Sequence, residues 1–416
     1  MLIGIIGLGY VGLPLALAMA EKYKVIGFDI NTSRVMQLQQ GVDHTHEISQ
    51  QQIQAEASLQ FTHQHAELKH CTVFIITVPT PVDAQYQPDF SYLIHATKTV
   101  ASLLKKGDIV VYESTVYPGC TEEICMPVLE QESGLAYNQD FFLGYSPERI
   151  NPGDKTRNIK SILKIVSGST PAIADKINAI YASVIQAGTY LAPSIKVAEA
   201  AKAIENAQRD VNISFMNELA LIFDRLGIDT REVLQAAATK WNFLPFQPGL
   251  VGGHCIGVDP HYLAFKAKQV GYDPQVILSG RKVNEQMGFF VGAQLIALLA
   301  KKFGGNIAAK KVLILGMAFK ENCADTRNTK VVDIFTTLQQ AGLEVEVYDP
   351  WVDAELVREE YKMSMVNELA ASYDGMVLAV AHEIFQTIDF AQYKQSGTLI
   401  YDAKGVLAPG LFNGRL

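Results

Sequence analysis

The chain has 416 residues, of which 49% are hydrophobic and 19% are charged. This is more apolar sequence than one small core requires, and it indicates a globular protein of two or three domains. Lys and Arg together number 35 against 43 Asp and Glu, and the net charge of -8 argues against a nucleic-acid partner. An anionic ligand would therefore need a local basic pocket.

The cysteines and the N-terminus bear on the compartment. The chain has 5 cysteines without paired spacing, so neither a disulfide framework nor a metal cluster is expected, and a reducing cytoplasm fits best. The apolar start, residues 1–6, lacks a basic segment and continues into a glycine turn, which predicts a strand and not a signal peptide. No uncharged stretch is long enough to be a convincing transmembrane helix, so no membrane partner is expected.

The first elements predict a dinucleotide site. An apolar strand at residues 2–6 is followed by the turn Gly7-Leu8-Gly9-Tyr10-Val11-Gly12 and by an alanine-rich helix at residues 13–20. Glycines in such a turn let the backbone approach a pyrophosphate, whose charge is met by the amides at the helix N-terminus. A strand, a glycine turn and a helix in this order favour cofactor binding over a purely structural turn.

The second strand carries the expected ribose ligand. Residues 25–28 are apolar and end at Asp29, close to the spacing expected of an acidic group that binds the ribose hydroxyls. A carboxylate there would repel a 2'-phosphate and favours NAD over NADP. Arg34, five residues later, could approach a phosphate and keeps the alternative open.

Two further strands are predicted at residues 73–78 and 108–112, alternating with helical patterns as in a doubly wound sheet. Together these elements define a first domain at residues 1–190. Polar loops follow the two strands, at residues 78–81 and 113–119, where such folds bind ligands. Ordinary turn chemistry explains these loops equally well.

A third loop places an acid and a base side by side. Glu148 and Arg149 follow an apolar segment at residues 141–144 and precede Asn151-Pro152-Gly153. The pair could hold a water or an anionic ligand, or it could be a solvated surface pair of little energetic value.

A long helix is predicted at residues 195–226 from apolar residues spaced three and four apart. Lys202, Asn206 and Arg209 share one of its faces. Such a stripe is usually solvated, but in a cleft a lysine partly removed from water would have a lowered pKa and could shuttle a proton.

The remaining sequence predicts a central helical domain and a second α/β domain. A second helix at about residues 274–303 completes a central domain at residues 191–305. Strands at residues 311–315, 344–348, 375–380 and 398–401 then repeat the N-terminal pattern in a third domain, residues 306–416. Its first turn, Gly316-Met317-Ala318-Phe319-Lys320, lacks the full glycine set, so this domain should hold something other than a dinucleotide. The predicted fold class is α/β, with two Rossmann-like doubly wound domains joined by a central helical domain with a long connecting helix.

Cys255 is the candidate nucleophile. A free cysteine is most often a small buried hydrophobe. However, Gly252 and Gly253 leave room for a ligand, while His254 and Asp259 add polar groups that an apolar site would not favour. The pattern predicts a reactive thiol, and the other four cysteines are interpreted as structural.

Together these motifs resemble the UDP-glucose/GDP-mannose dehydrogenase family over the whole chain. The chain is most similar to its UDP-N-acetylhexosamine 6-dehydrogenase branch, which serves capsule, Vi-type and O-antigen synthesis, through residues 145–154 and 240–246. The family motifs are matched at residues 7–12, 113–118, 146–153, 202–209, 252–260 and 318–329.

The resemblance implies a four-electron oxidation of a sugar C6 alcohol to a carboxylate with two NAD in succession. Lys202, or a water held by Lys202 and Asp259, would be the base of the first oxidation. Cys255 would hold the aldehyde as a thiohemiacetal and then as a thioester. Glu148 would activate the hydrolytic water, and Lys202 and Asn206 would steady the oxyanion.

The resemblance also implies the binding residues and a homodimer or larger homo-oligomer. Besides the glycines, the residues expected at NAD are Tyr10, Val11, Asp29, Thr80, Thr115 and Arg327. Besides Glu148, Lys202 and Asn206, those expected at the nucleotide sugar are Arg149, Ile150, Arg209, Gly252, Phe319, Lys320 and Lys404. The third domain would thus hold the UDP end.

Two departures from the UDP-glucose dehydrogenase pattern bear on which sugar the chain binds. UDP-glucose dehydrogenases have a second glutamate where this chain has Pro152, and a double arginine where it has Lys404-Gly405. Both differences favour an N-acetylhexosamine, UDP-GlcNAc or UDP-GalNAc, over UDP-glucose; UDP-ManNAc stays an alternative. A two-electron hydroxyacid dehydrogenase would explain neither Cys255 nor the third domain. A non-catalytic sensor of NAD or a nucleotide sugar would not need the full catalytic set.

Overall fold

The computed structural model describes residues 1–45, 47–83, 85–150, 157–253 and 256–416. The chain divides into two compact units. Unit 1 comprises Met1–Glu205 and His261–Asp273, and unit 2 comprises Asn206–Pro260 and Pro274–Leu416.

Unit 1 is built on an eight-stranded sheet with the order β3-β2-β1-β4-β5-β6-β7-β8. Neighbouring strands are parallel except β6 and β7, which are antiparallel. The strands are β1 (Leu2–Ile6), β2 (Lys24–Phe28), β3 (Leu59–Thr62), β4 (Val73–Ile76), β5 (Ile109–Tyr112), β6 (Phe142–Tyr145), β7 (Lys164–Gly168) and β8 (Thr189–Leu191).

Helices connect these strands. They are α1 (Gly12–Ala20), α2 (Thr32–Gln39), α3 (Gln50–Ala55), α4 (Ser91–Ala101), α5 (Met126–Ser133) and α6 (Pro171–Ala182), with a short 3-10 helix at His65–His70 and a π-helical turn at Thr121–Cys125. The strands of a covered parallel sheet are buried on both faces, and β4 is accordingly buried at every residue. Ile3, Ile5, Leu13 and Ile177 belong to the core between sheet and helices.

Four helices follow: α7 (Ile195–Leu226), α8 (Thr230–Ala237), α9 (Asp259–Gln269) and α10 (Gln275–Phe303). The long helix α7 begins and ends where the sequence predicts. Its buried side, however, is formed largely by small residues such as Ala198, Ala203 and Ala207. Several of the apolar residues that predicted the helix are instead well exposed, namely Val197, Ile204, Phe215 and Ile222.

Unit 2 contains a five-stranded sheet with the order β10-β9-β11-β12-β13, parallel throughout. Its strands are β9 (Lys311–Leu315), β10 (Glu344–Tyr348), β11 (Gly375–Leu378), β12 (Leu399–Asp402) and β13 (Gly414–Arg415), and its further helices are α11 (Val331–Gln340), α12 (Ala354–Tyr361), α13 (Phe390–Gln395) and a 3-10 helix at Glu383–Thr387. The predicted fold class is confirmed, because both sheets are Rossmann-like and a long helix lies between them in the chain.

Helix α10 is a core helix of unit 2. Met287, Val291, Leu295 and Leu299, spaced four apart, are all fully buried in the core of this unit. Within the described part of the chain, α10 is also the one helix with the length and composition of a membrane span, and 39% of its most apolar window is buried. Packing in the core accounts for the apolar residues on the buried side of this helix.

Two predicted strands end earlier than expected. The strands predicted at 73–78 and 375–380 stop at Ile76 and Leu378. Beyond these residues the chain leaves the ladder and enters the loops at the carboxyl edge of each sheet, where parallel sheets gather their ligand-binding residues.

Candidate functional site

The glycine turn after β1 fits a dinucleotide. Gly7 has a φ of +95°, which favours glycine, and a Cβ on Gly12 would lie 1.8 Å from the Gly7 carbonyl oxygen. At Gly9, by contrast, a Cβ would meet no protein atom within 4 Å. The turn is thus closed tightly onto α1 while the backbone at Gly9 stays open to a ligand. Tyr10 and Val11 lie in the same turn.

Asp29 stands at the end of β2 beside that turn. Its Oδ2 accepts a hydrogen bond of 2.8 Å from the Leu8 amide, and its Oδ1 accepts one of 2.9 Å from the Asn31 amide. The carboxylate is therefore fixed in direction next to the glycine turn, as a ribose ligand requires.

Arg34 is engaged within the protein. It is 3% exposed, its Nε and Nη2 donate to the Leu8 carbonyl at 3.0 and 2.9 Å, and its Nη2 lies 2.8 Å from Asp43. Its Nη1 contacts His44 at 3.1 Å. Because these partners occupy the guanidinium, Arg34 is suited to supporting the turn. It is therefore not available to bind the 2'-phosphate of NADP.

The loops after β4 and β5 are tied to each other. The Thr80 hydroxyl donates to the Thr115 carbonyl at 2.6 Å, and the Ser114 hydroxyl donates to the Val78 carbonyl at 2.5 Å. Tyr262 also donates to the Thr80 carbonyl at 2.5 Å. Thr80 and Thr115, both expected at NAD, are thus brought together at one edge of the sheet.

Glu199 supports the second of these loops from α7. Its carboxylate is fully buried and accepts hydrogen bonds from the amides of Gly119 and Thr121 at 2.5 and 2.9 Å. Burial raises the pKa of Glu199 to about 7, although the amides act in the opposite direction. The sequence motifs gave no sign of this residue.

Glu148 and Arg149 do not form the side-chain pair that the sequence allowed. Glu148 Oε1 accepts from the amides of Arg149 and Ile150 at 2.6 Å each, and its Oε2 lies 2.9 Å from Lys164. The Arg149 guanidinium instead pairs with Glu205 at 2.8 Å. The two side chains therefore form ion pairs with different partners.

Lys164 and Glu113 are functional candidates that sequence reasoning missed. Lys164 Nζ lies 2.6 Å from Glu113 Oε2, and the Tyr181 hydroxyl donates to Glu113 Oε1 at 2.5 Å. Burial raises the pKa of Glu113 to about 7, with Lys164 acting in the opposite direction. The available signal was a lysine within the apolar run Ile162-Leu163-Lys164-Ile165-Val166, where a charge needs a buried partner.

The predicted face of α7 is divided by burial. Lys202 is 7% exposed and Asn206 is 9% exposed, whereas Arg209 is exposed. Within unit 2, Asn206 Nδ2 donates to Asp259 Oδ2 at 2.5 Å, and Asp259 is 2% exposed. Two of the predicted catalytic residues are thus paired.

Cys255 and His254 lie outside the described residues, as do Asn151 to Asp154. The four other cysteines, which the sequence predicts to be structural, are all buried: Cys71, Cys120, Cys125 and Cys323.

In unit 2 the glycine segment before Cys255 lies against the motif at residues 318–329. The Gly253 amide donates to the Arg327 carbonyl at 3.0 Å. A Cβ on Gly252 would lie 2.8 Å from the Asn328 carbonyl oxygen, and one on Gly253 would lie 2.7 Å from the Phe319 ring. Both glycines are needed for this close approach, and Gly253 also has a φ of +83°.

Two of the cations predicted in unit 2, Arg327 and Lys404, have carboxylate neighbours. Arg327 binds Asp325 with Nε at 3.0 Å and Nη2 at 2.5 Å, and Lys404 Nζ lies 2.5 Å from Glu321. Lys320 Nζ lies over the Phe319 ring at 5.4 Å. An anionic ligand here would have to exchange with these carboxylates or bind beside them.

Arg231 occupies the space of the missing side chain at Gly405. Its Nη2 donates to the Lys404 carbonyl at 2.5 Å, and a Cβ on Gly405 would collide with its guanidinium, 2.0 Å from Nε. Helix α8 thus places a guanidinium next to Lys404, where the sequence showed only a missing arginine.

Asp349 is enclosed more completely than Asp29, which occupies the corresponding place beside the first turn, because it binds a second turn amide and His382 as well. Its Oδ2 accepts from the amides of Met317 and Ala318 at 2.7 and 2.9 Å, and it lies 3.0 Å from His382 Nε2. Burial acts to raise the pKa of Asp349, but these hydrogen bonds lower it overall. The Asp349 carboxylate is fully buried and hydrogen-bonded within unit 2, so it is not available to bind a ribose.

Comparison with known proteins gives concordant matches along the chain. Models of the UDP-glucose/GDP-mannose dehydrogenase family match at residues 1–185 for the NAD binding domain, 196–286 for the central domain and 313–409 for the UDP binding domain. UDP-N-acetyl-D-glucosamine 6-dehydrogenase of Pseudomonas aeruginosa is 52% identical, covering 97% of each chain, and that of Salmonella typhi is 53% identical, covering 97% of this chain and 96% of the other. The solved structure of UDP-D-ManNAc dehydrogenase from Pyrococcus horikoshii has a TM-score of 0.89 at 30% identity, covering 100% of this chain and 98% of that one.

Proposed function

We propose that this chain, which belongs to the UDP-glucose/GDP-mannose dehydrogenase family, oxidises the C6 hydroxyl of a UDP-N-acetylhexosamine to a carboxylate with NAD as acceptor. The observation that carries the proposal is the identity above 50% over 97% of the chain to two UDP-N-acetyl-D-glucosamine 6-dehydrogenases. Their names favour the gluco epimer. The enzyme would act in the cytoplasm, and its uronate product would be used for surface polysaccharide synthesis.

The proposed domains are those expected from the sequence. Residues 1–190 would bind NAD, residues 191–305 would carry the thiol, and residues 306–416 would bind the UDP end. Supporting this assignment, the glycine turn of unit 1 fits a dinucleotide, whereas the corresponding turn of unit 2 is closed by Asp349. Arg327, Lys320 and Lys404 would supply local positive charge, and Arg231 adds a cation that the sequence did not indicate.

The proposed chemistry consumes one water and reduces two NAD per sugar. NAD supplies the hydride acceptor for each oxidation. Lys202, or a water held by Lys202 and Asp259, takes the C6 hydroxyl proton, and Asn206 steadies the oxyanion. Cys255 adds to the aldehyde, the adduct loses the second hydride to become a thioester, and a water activated by Glu148 releases the carboxylate. The burial of Lys202 and the Asn206–Asp259 hydrogen bond support these roles.

The first prediction concerns substrate and stoichiometry. With UDP-GlcNAc, UDP-GalNAc, UDP-ManNAc and UDP-glucose offered separately, we expect the highest kcat/KM for UDP-GlcNAc and two NADH per uronate, measured by absorbance and product mass. NADP should be a poor acceptor because Asp29 faces the ribose position and Arg34 is occupied. No turnover of any UDP-sugar would refute the proposed function and favour a sensor.

The covalent step has its own control. Cys255→Ser should retain sugar binding, measured by calorimetry, and should form no uronate, because a serine hydroxyl is a far weaker nucleophile than a thiolate. Unchanged acid production by this variant would refute the role of the thiol.

The second prediction concerns assembly. We propose a homodimer or larger homo-oligomer, supported by the apolar side chains that α7 exposes, among them Ile204 at 55% and Phe215 at 54%. Sedimentation should give at least a dimer, and Ile204→Glu with Phe215→Glu should shift it to monomer. A monomeric wild-type protein at micromolar concentration would contradict this proposal.

A further inference from the structure

A buried charge cluster lies at one edge of the sheet of unit 1. It consists of Glu113, Glu148, Lys164 and Tyr181 and is called the Lys164 cluster below. Glu113 follows β5, Glu148 lies beyond β6, Lys164 begins β7, and Tyr181 is on α6. Lys164 Nζ lies 2.6 Å from Glu113 and 2.9 Å from Glu148, so one ammonium group serves two carboxylates.

The cluster is costly to form without a role. The side chains of Lys164 and Glu113 are 2% and 0% exposed, and that of Glu148 is 11% exposed. Removing such charges from water has a penalty that pairing only partly offsets. With a single cation between two carboxylates, the cluster also holds one more acidic group than it can neutralise when both are ionised.

Glu148 has the most exposed side chain of the three charged members, and its hydrogen bonds fix the orientation of its carboxylate. Two backbone amides, of Arg149 and Ile150, hold Oε1, and Lys164 holds Oε2. Lys164 is in turn held by Glu113, and Glu113 by Tyr181. The orientation of Glu148 therefore depends on residues that are themselves buried.

We propose that Lys164 and Glu113 are positioning residues that orient Glu148 and control proton transfer to it in the hydrolysis step that forms the carboxylate. The inference rests on the proposed function and on the role of Glu148 in it. In that step, the water oxygen bonds to the acyl carbon, the carbon–sulfur bond breaks, and the thiolate leaves. One water proton passes to Glu148 and then to solvent, the other is released when the product acid ionises, and Lys164 stays an ammonium throughout.

The ionisation state of Glu113 determines how strongly Lys164 acts on Glu148. Glu113 faces Lys164 from β7, Tyr181 from α6 and Glu148 from the loop after β6. When Glu113 is protonated, the ammonium of Lys164 acts on the Glu148 carboxylate alone and opposes transfer of the water proton to it. When Glu113 ionises, it shares the ammonium and this opposition weakens. Since burial raises the pKa of Glu113 to about 7, hydrolysis should accelerate as the pH rises through neutrality.

The third prediction separates hydrolysis from the oxidations. In rapid-mixing experiments with saturating NAD and UDP-GlcNAc, Lys164→Met should form two NADH per site at nearly the wild-type rate. Its kcat and its KM should then fall together, kcat by at least roughly tenfold, because Glu148 loses the partner that orients Oε2 and the thioester accumulates. Glu113→Gln should also slow hydrolysis and should abolish the pH-dependent rise near neutrality. The matched control is Lys105→Met, which removes an ion pair to Asp108 elsewhere in unit 1 and should leave the kinetics unchanged.

Tyr181→Phe tests the same idea with a minimal change. It removes one hydroxyl bonded to Glu113 and leaves Lys164 and Glu148 in place, so the pH midpoint of kcat should move upward because ionised Glu113 loses a donor. This variant decides the matter if Lys164→Met fails to fold. An unchanged pH midpoint, or an NADH burst slowed as much as kcat, would overturn the proposal. Absence of NADH from the wild-type protein with every UDP-sugar would instead refute the proposed function.

Discussion

Gly12→Ala should lose NAD binding and much of the stability of unit 1. The added Cβ would lie 1.8 Å from the Gly7 carbonyl oxygen and 2.5 Å from Thr77 Oγ1, and a backbone oxygen cannot withdraw without opening the turn. Overpacking costs about 1 to 3 kcal/mol, and a contact this close to a backbone oxygen should lie at the upper end of that range. Thermal unfolding and NAD titration by calorimetry should show both losses together.

Gly9→Ala is the matched control. A Cβ at Gly9 meets no protein atom within 4 Å, so the melting temperature should stay close to that of the wild type. The methyl group would instead occupy the approach of the pyrophosphate, and NAD affinity should fall at least roughly tenfold, which is about 1.4 kcal/mol. If Gly9→Ala bound NAD normally, the pyrophosphate would not lie against this turn.

Arg281→Met should strongly destabilise unit 2. Arg281 Nη1 lies 2.6 Å from Asp210 Oδ1, and their side chains are 4% and 0% exposed. Asn284 Nδ2 also donates to Asp210 at 2.7 Å but cannot neutralise its charge. Removing one partner of a buried pair costs about 3 to 5 kcal/mol because the other charge stays buried. Urea denaturation should report a loss of this size.

The loss should depend on pH. Burial raises the pKa of Asp210 even with Arg281 beside it, and without the arginine that pKa should rise further. Between the unfolded and folded pKa values, the native protein binds more protons than the unfolded chain, so stability declines as the pH rises through this window. The deficit of Arg281→Met should therefore be largest near neutral pH and smaller near about pH 5. Asp210→Asn combined with Arg281→Met should recover part of it, and a deficit independent of pH would show that the charge of Asp210 is not its cause.

Much of the fold was predictable because local signals and burial agree in it. The apolar strands β1 and β9 and the helices α7 and α10 occur within about one residue of their predicted bounds. A parallel strand buried on both faces is apolar throughout, and its sequence is therefore easily recognised.

Pairings between distant residues were not predictable. The sequence placed Glu148 beside Arg149, but the structure gives each a different partner, Lys164 and Glu205. Arg34 had the spacing of a phosphate ligand, yet the Leu8 carbonyl and Asp43 occupy it. Which polar groups meet is decided by how loops fold over the sheet edge, and spacing along the chain carries little of that information.

The reversed strand β7 determines which charge Glu148 meets. In the antiparallel pair, Gly144 lies opposite Gly168 and Tyr145 opposite Ser167, and continuing this register by three positions brings Glu148 opposite Lys164. A parallel β7 would have begun at the other edge of the sheet. A slip of one residue would replace Lys164 by Leu163 or Ile165 and would leave both glutamates without a cation. Strand pairing therefore specifies the contact between Lys164 and Glu148. In other doubly wound sheets, an antiparallel strand that begins with a lysine at the same register would likewise place a cation at the ligand-binding edge.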